Sequence, residues 1–229
     1  MFQELVSGEL WHTVYPIRFA GMSVMARMSV ARFGDGQLWV HSPGPLDDAL
    51  AAQLDALGEV AFICAPNRFH HLFAGPFRQR YPSARLFGAP GLSRKRPDLP
   101  LDGTLTVDTK TLWSDALEHL LFEGMPLLNE VVFLHRPSRT LLLTDLCAWY
   151  AKPDSLMKKA AARLLGVDRQ MATARTIRFM VRDRPAARRS RDQILEWDFD
   201  RVILAHEDIV PSDGKSALRR ALSWLDAST

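Results

Sequence analysis

The chain has 229 residues, 47% hydrophobic and 24% charged, enough for one large domain or two small ones and the balance of a folded protein rather than a disordered or fibrous one. No apolar run approaches the roughly 20 residues that span a bilayer, and "MFQELVSGELWHTVYP" lacks the basic start and apolar block of a signal peptide. The net charge of +3 hides an asymmetry: residues 151–191 carry twelve Lys/Arg against three Asp, a local +9, so the remainder carries −6.

In chain order, "MSVMARMSVARF" and "LWVHS" flank a tight turn at Gly34-Asp35-Gly36 and predict a β-hairpin. Leu46, Leu50, Leu54 and Leu57 then recur at helical spacing, with Gly58 as a C-terminal stop. "EVAFICAP" is a buried strand ending at Pro66, and it carries Cys64. After His70 and His71 come a short helix, "LFAGPFRQRYP", and a short strand, "ARLFGAPG". The stretch from Leu92 to Trp113 is loop-like, and "SDALEHLLF" is expected to be helical or a loop face. "NEVVFLHRPSRTLLLTDL" predicts strand, turn and strand, delivering Asp145. Helices are expected over "DSLMKKAAARLLG", "MATARTIRFMVRD" and "RPAARRSRDQILEW", then a strand, "RVILAH", and a closing helix, "KSALRRALSWLD". Strands interleaved with helices, with hairpins among them, predict an α/β layered fold with mixed sheets. Cys64 and Cys147 both lie in or beside apolar runs; with no export signal, two buried free thiols in a cytoplasmic protein are expected.

The basic stretch 151–191 is expected to be helical and to pack on the sheet, burying Leu156, Leu164, Leu165, Ile177 and Phe179 and turning its charges outward. Its cations are irregularly spaced and nearly devoid of aromatic neighbours for base stacking. Neither nucleic acid nor a membrane is therefore expected as a partner; a small-molecule ligand is, and self-association is left open.

Three apolar strands each release a metal-capable side chain at the carboxyl end: "AFICAP" precedes His70 and His71, "TLLLT" ends at Asp145, and "RVILA" ends at His206. Ligands in open α/β sheets gather at that edge, and His and Asp are donors that zinc, iron or manganese accept. A pair of adjacent histidines also serves as a plain strand-end cap, so the residues alone leave both readings standing.

The order of the segments "VHSPGPLD", "APNRFHH", "PGLSRKRPDL", "VVFLHRPSRTLLLTDL" and "WDFDRVILAH" resembles an uncharacterised family, a domain of unknown function, within the metallo-β-lactamase-like proteins. The resemblance spans nearly the whole chain and implies an αββα sandwich, one domain over residues 1–229 with 151–191 as a helical insertion. In that fold one strand ends in Asp-Thr-Gly and the next delivers His-x-His-x-Asp-His. Here His41 stands at the Asp of Asp-Thr-Gly, Pro66 and Arg68 at the first two histidines of the second motif, and Met125 at the third histidine of the first metal site. The second-site positions are occupied by His70, His71, Asp145 and His206, all competent donors. Glu207 replaces the glycine that usually follows the late histidine.

The resemblance therefore implies at most one divalent transition metal, held by His70, His71, Asp145 and His206, with Asp145 also orienting a catalytic water. The expected activity is hydrolysis of a small-molecule ester, amide or phosphate. His41 is then a residue that orients a neighbour. The alternative is a metal-free pseudo-enzyme, in which Arg68 takes the electrostatic place of the lost ion and the cavity binds a small anion or a protein partner.

Overall fold

The hairpin read from the sequence is the centre of a longer sheet in the computed structural model, which describes residues 1–19, 21–113, 116–206 and 208–226. Strands β1 (Gln3–Val6), β2 (Leu10–Phe19), β3 (Met22–Arg32) and β4 (Gln37–His41) pair in antiparallel order. From β4 onward the sheet turns parallel through β5 (Glu59–Ala65), β6 (Arg85–Gly88) and β7 (Gly103–Thr104). Parallel neighbours require a crossover, and helix α1 (Asp48–Leu57) supplies it between β4 and β5.

Each end of α1 has a local cause. Asp47 caps the first turn by accepting from the Leu50 amide at 2.7 Å, and Gly58 ends it. A Cβ on Gly58 would stand 2.2 Å from the Gly36 carbonyl, so close passage of the β3–β4 turn requires glycine there. Helices α2 (Ala74–Arg80) and α3 (Leu92–Lys95) complete this part. Its core gathers Met28, Val30, Leu38, Val40, Leu54, Ile63, Phe77 and Leu86.

The chain divides into two compact units, Met1–Leu112 and Trp113–Thr229. The second unit is built on a four-stranded sheet of β8 (Leu117–Leu121), β9 (Val131–His135), β10 (Thr140–Leu143) and β11 (Arg201–Leu204), in the order β11-β10-β9-β8. Pairing is antiparallel except between β10 and β11, which run parallel in the register Leu143↔Leu204. Helices α4 (Leu156–Leu165), α5 (Arg175–Arg178) and α6 (Arg184–Glu196) lie between β10 and β11 in sequence, and α7 (Gly214–Ala221) follows β11. The core joins Leu134, Leu141, Leu143 and Leu204 of the strands to Ile194 of α6 and Leu218 of α7.

Several expectations need correction. Residues 3–19 form two strands that the sequence reading did not assign, although β2 contains Pro16. Residues 117–121 are a strand and not a helix: Leu117 and His119 are buried on alternate positions. The expected helix over 171–183 reduces to the single turn of α5. Leu165 and Ile177 are partly buried as expected, against Ala162, Val167, Ala172 and Ala174. Leu156, Leu164 and Phe179 are exposed. Both cysteines are free and buried. No helix among the described residues is long and apolar enough to cross a membrane.

Candidate metal centre

In the first unit the end of β4 is shaped by Ser42, which adopts φ 54 and donates its amide to the Cys64 carbonyl at 2.9 Å. A left-handed serine is uncommon, and here it turns the hydroxyl toward His70, whose Nδ1 lies 2.7 Å from Ser42 Oγ. The next loop, between β5 and α2, is organised by the buried Asn67 side chain. Its Oδ1 accepts from the Phe69 amide at 2.8 Å and the His70 amide at 2.7 Å, an Asx-type turn that fixes His70 at its base.

Tyr15 adds a second contact to this corner: its O–H donates to the Pro43 carbonyl at 3.4 Å and it is also bonded to Ser42. Burial pushes its phenol up to about 12, so it keeps its proton.

His71 has a different partner. Arg96 Nη1 lies 3.0 Å from its Nδ1. A guanidinium only donates, so Nδ1 carries the lone pair and Nε2 the proton. Burial first, then the charges of Lys95 and Arg96, push this ring down to about 4. His71 is thus a neutral acceptor for Arg96. Arg96 in turn forms a two-pronged pair with Asp98, at 2.8 and 2.6 Å. His41 stacks on Trp39 with ring centres 5.3 Å apart, and burial, then the charge of His70, push it down to about 3. Arg68 is half-buried; its carbonyl accepts from Lys95, whose ammonium also lies 4.7 Å over the Phe69 ring.

The second unit contributes Asp145 and His206. Parallel pairing of β10 with β11 continues one step further in the Ala205 amide to Leu143 carbonyl bond, 3.1 Å. The residues just beyond it come side by side, and His206 Nε2 lies 3.2 Å from Asp145 Oδ1, both side chains largely buried. The loop that carries Asp145 is held by Glu130, immediately before β9. Its fully buried carboxylate accepts from the Thr144 amide at 2.8 Å through Oε1, and from the Asp145 and Leu146 amides at 2.7 and 2.9 Å through Oε2. Burial, then the Asp145 charge, push this carboxyl above its ordinary range, and the Thr144 and Asp145 hydrogen bonds pull the other way.

Met125 sits in the apolar core of the second unit, and Pro66 is buried at the end of β5. Neither is a donor for zinc. Glu207 lies outside the described residues. Three further residues that shape these loops, Ser42, Asn67 and Glu130, have no role in the sequence reading. Asn67 carried a signal, since Pro-Asn after an apolar strand is turn chemistry. Glu130 carried a weaker one, a lone acid at the threshold of the apolar run "VVFL".

Solved structures share this fold at low identity. A metallo-β-lactamase from Pontibacter korlensis matches with a TM-score of 0.63 and 12% identity, covering 100% of this chain and 99% of that one. The DIM-1 metallo-β-lactamase exposed to ceftazidime matches with a TM-score of 0.69 and 16% identity, covering 99% and 96%. The FIM-1 metallo-β-lactamase from Pseudomonas aeruginosa, in its mono-zinc form, matches with a TM-score of 0.66 and 12% identity, covering 100% and 96%. At such identity the likeness establishes the fold and not the activity. No curated protein matches the chain by sequence. The profile of one family does match, over residues 8–178, and the chain therefore belongs to the domain of unknown function family DUF4336, carried on a metallo-β-lactamase fold.

Proposed function

We propose that the protein is a hydrolase with a single divalent transition metal, acting on a small-molecule ester, amide or phosphate. Asp145 and His206 are its central donors, and His70 is the further donor that the sequence resemblance implies. The observation that carries this reading is the Asp145–His206 pair: a carboxylate oxygen and an imidazole nitrogen 3.2 Å apart, set by adjacent parallel strands and a buried carboxylate behind the loop. The oxygen and nitrogen donors fit zinc, iron or manganese. Support for His70 comes from the Ser42 contact at Nδ1, 2.7 Å, since a metal-binding histidine is commonly oriented by a second hydrogen bond at its other ring nitrogen.

His71, expected from the sequence as a fourth donor, serves in this proposal as the acceptor that fixes Arg96. A second ion has no place, since Pro66, Arg68 and Met125 occupy the other positions. When bound, a divalent ion supplies Lewis acidity and lowers the pKa of its water toward about 7. The chain's own contribution is orientation: Asp145 accepts a hydrogen bond from a water near its carboxylate and so orients it, and Ser42 and Glu130 hold His70 and Asp145 in place.

Elemental analysis of protein purified without chelator tests this directly. Up to one equivalent of transition metal is expected, lost in Asp145→Asn and His206→Ala and weakened about ten-fold or more in Ser42→Ala. Two equivalents would overturn the assignment of the first-site positions. No metal after zinc soaking would favour the metal-free anion-binding reading, which rests on the cations Arg68, Lys95 and Arg96 around His71.

A further inference from the structure

Helix α4 presents the wrong face to solvent. Its core-facing residue is Ala162, packed with Val167, Ala172 and Ala174. At 3.6 residues per turn, Leu156, Met157, Ala160 and Leu164 fall together on the side opposite Ala162. They are not covered: Leu156 is 85% exposed, Met157 65% and Leu164 71%. Phe179, just past α5, is 83% exposed. α5 packs against α4, and Arg175 Nη1 donates to the Leu164 carbonyl at 3.1 Å. A surface helix ordinarily turns such a stripe inward and its charges outward. Here the stripe points out, and the exposed cations Lys159 and Arg163 border one edge of it.

The helix is a built element. Ser155 caps it by accepting from the Lys158 amide at 3.2 Å, Gly166 closes it in the left-handed conformation, and Lys158 pairs with Asp154 at 2.8 Å. Residues 151–179, which include α4 and α5, carry seven Lys/Arg against two Asp, a local +5. That charge selects among occupants. A second copy would bring two such segments together, like against like. Nucleic acid answers the charge but offers nothing to three aliphatic side chains. An anionic bilayer answers both, because its surface attracts cations and its acyl boundary receives leucines.

We propose that α4, with Phe179, is a peripheral docking surface for anionic membranes. Leu156, Met157 and Leu164 enter the boundary between headgroups and acyl chains, while Lys159 and Arg163 meet lipid phosphates. The helix has ten residues and lies along the surface; it does not span. The sequence expectation of no membrane partner rested on burying these same side chains.

Flotation of the full chain with vesicles is the test. Binding is expected to phosphatidylcholine vesicles containing phosphatidylglycerol and not to phosphatidylcholine alone, and it should weaken as salt rises. A Leu156→Ser/Leu164→Ser variant should lose about ten-fold or more in partitioning. Lys159→Glu/Arg163→Glu should lose a similar factor together with most of the salt dependence. All four side chains are exposed, and the Arg163 Nε–Asp168 pair at 3.5 Å is a surface pair that contributes little to stability, so circular dichroism should stay at wild-type values and melting temperature close to them in both variants. The proposal is overturned by no partitioning onto the anionic vesicles, by equal partitioning onto both compositions, or by a leucine variant that binds like wild type. Self-association abolished by the leucine variant, measured by light scattering, would assign the stripe to a second copy and overturn it too. So would submicromolar nucleic-acid binding lost with the same leucines.

Discussion

Replacing Glu130 is the sharpest test of how the Asp145 loop is held. Its carboxylate takes three consecutive amides, at 2.8, 2.7 and 2.9 Å, with no solvent access. Removing it with Glu130→Ala orphans three donors at about 1–3 kcal/mol each, so about 3–6 kcal/mol after partial relaxation, against a typical total of about 5–15 kcal/mol. Because that variant verges on unfolding, Glu130→Gln is the informative one. The amide carbonyl keeps the Asp145 and Leu146 bonds, and the NH₂ then faces the Thr144 amide, donor against donor. One orphaned amide and a lost charge give about 2 kcal/mol. Urea unfolding reads the total, and hydrogen exchange at residues 144–146 reads the loop. Glu130→Gln within about 0.5 kcal/mol of wild type, with unchanged exchange at those three amides, would refute the reasoning.

Two further outcomes follow from the same structure. Gly124 has φ 83, and a Cβ there would stand 2.2 Å from the Asp183 carbonyl, so Gly124→Ala should cost about 3 kcal/mol. In a chain of this size that is a fall of roughly 6–12 °C in melting temperature; a change near zero in a thermal melt would contradict the packing. Burial pushes His135 down to about 4 from an ordinary value of 6.5. The unfolded chain therefore binds the proton first, and this contribution is whole above pH 6.5 and is lost as pH falls from there through about 4. His135→Gln should flatten the fall in unfolding free energy across that window, and an NMR titration midpoint near 6.5 for His135 would disprove the burial argument.

The sequence carried the strands that bear the site because their signals are local. Apolar runs such as "AFICA" and "TLLL", bounded by turn residues, show where a chain must be buried, and polar groups that follow them gather at strand ends. Asp145 and His206 were legible in this way. Their contact was not, since it depends on a parallel register between segments sixty-one positions apart. Likewise, two histidines in tandem looked equivalent. Their difference comes from partners 28 and 25 positions away: a serine hydroxyl at His70 Nδ1, and a guanidinium at His71 Nδ1 that makes this ring an acceptor. β2 was missed because Pro16 argues against a strand, and it is tolerated because β1 pairs only with Leu10–His12, which leaves β2 at the edge of the sheet where Pro16 stands. Leu156, Leu164 and Phe179 were misplaced for a different reason. Hydrophobic periodicity tells that a face is apolar but not which way it turns.

The parallel ladder between β10 and β11 has a consequence for what this family can become. Residues 144–200 leave the sheet after Leu143 and return to it at Arg201, opposite Thr140, so the same ladder that receives the returning chain brings its far end, His206, beside Asp145. Closure entropy grows only with the logarithm of loop length, about 0.6 kcal/mol for each doubling. Helix α4, which buries only Ala162, can be lengthened, shortened or exchanged at that small cost while Asp145 and His206 stay 3.2 Å apart; α6, which carries Ile194 of the core, cannot. The rim of the sheet is thereby insulated from its appendage. A lineage is free to change where such a protein docks without disturbing the pair of donors its chemistry would use.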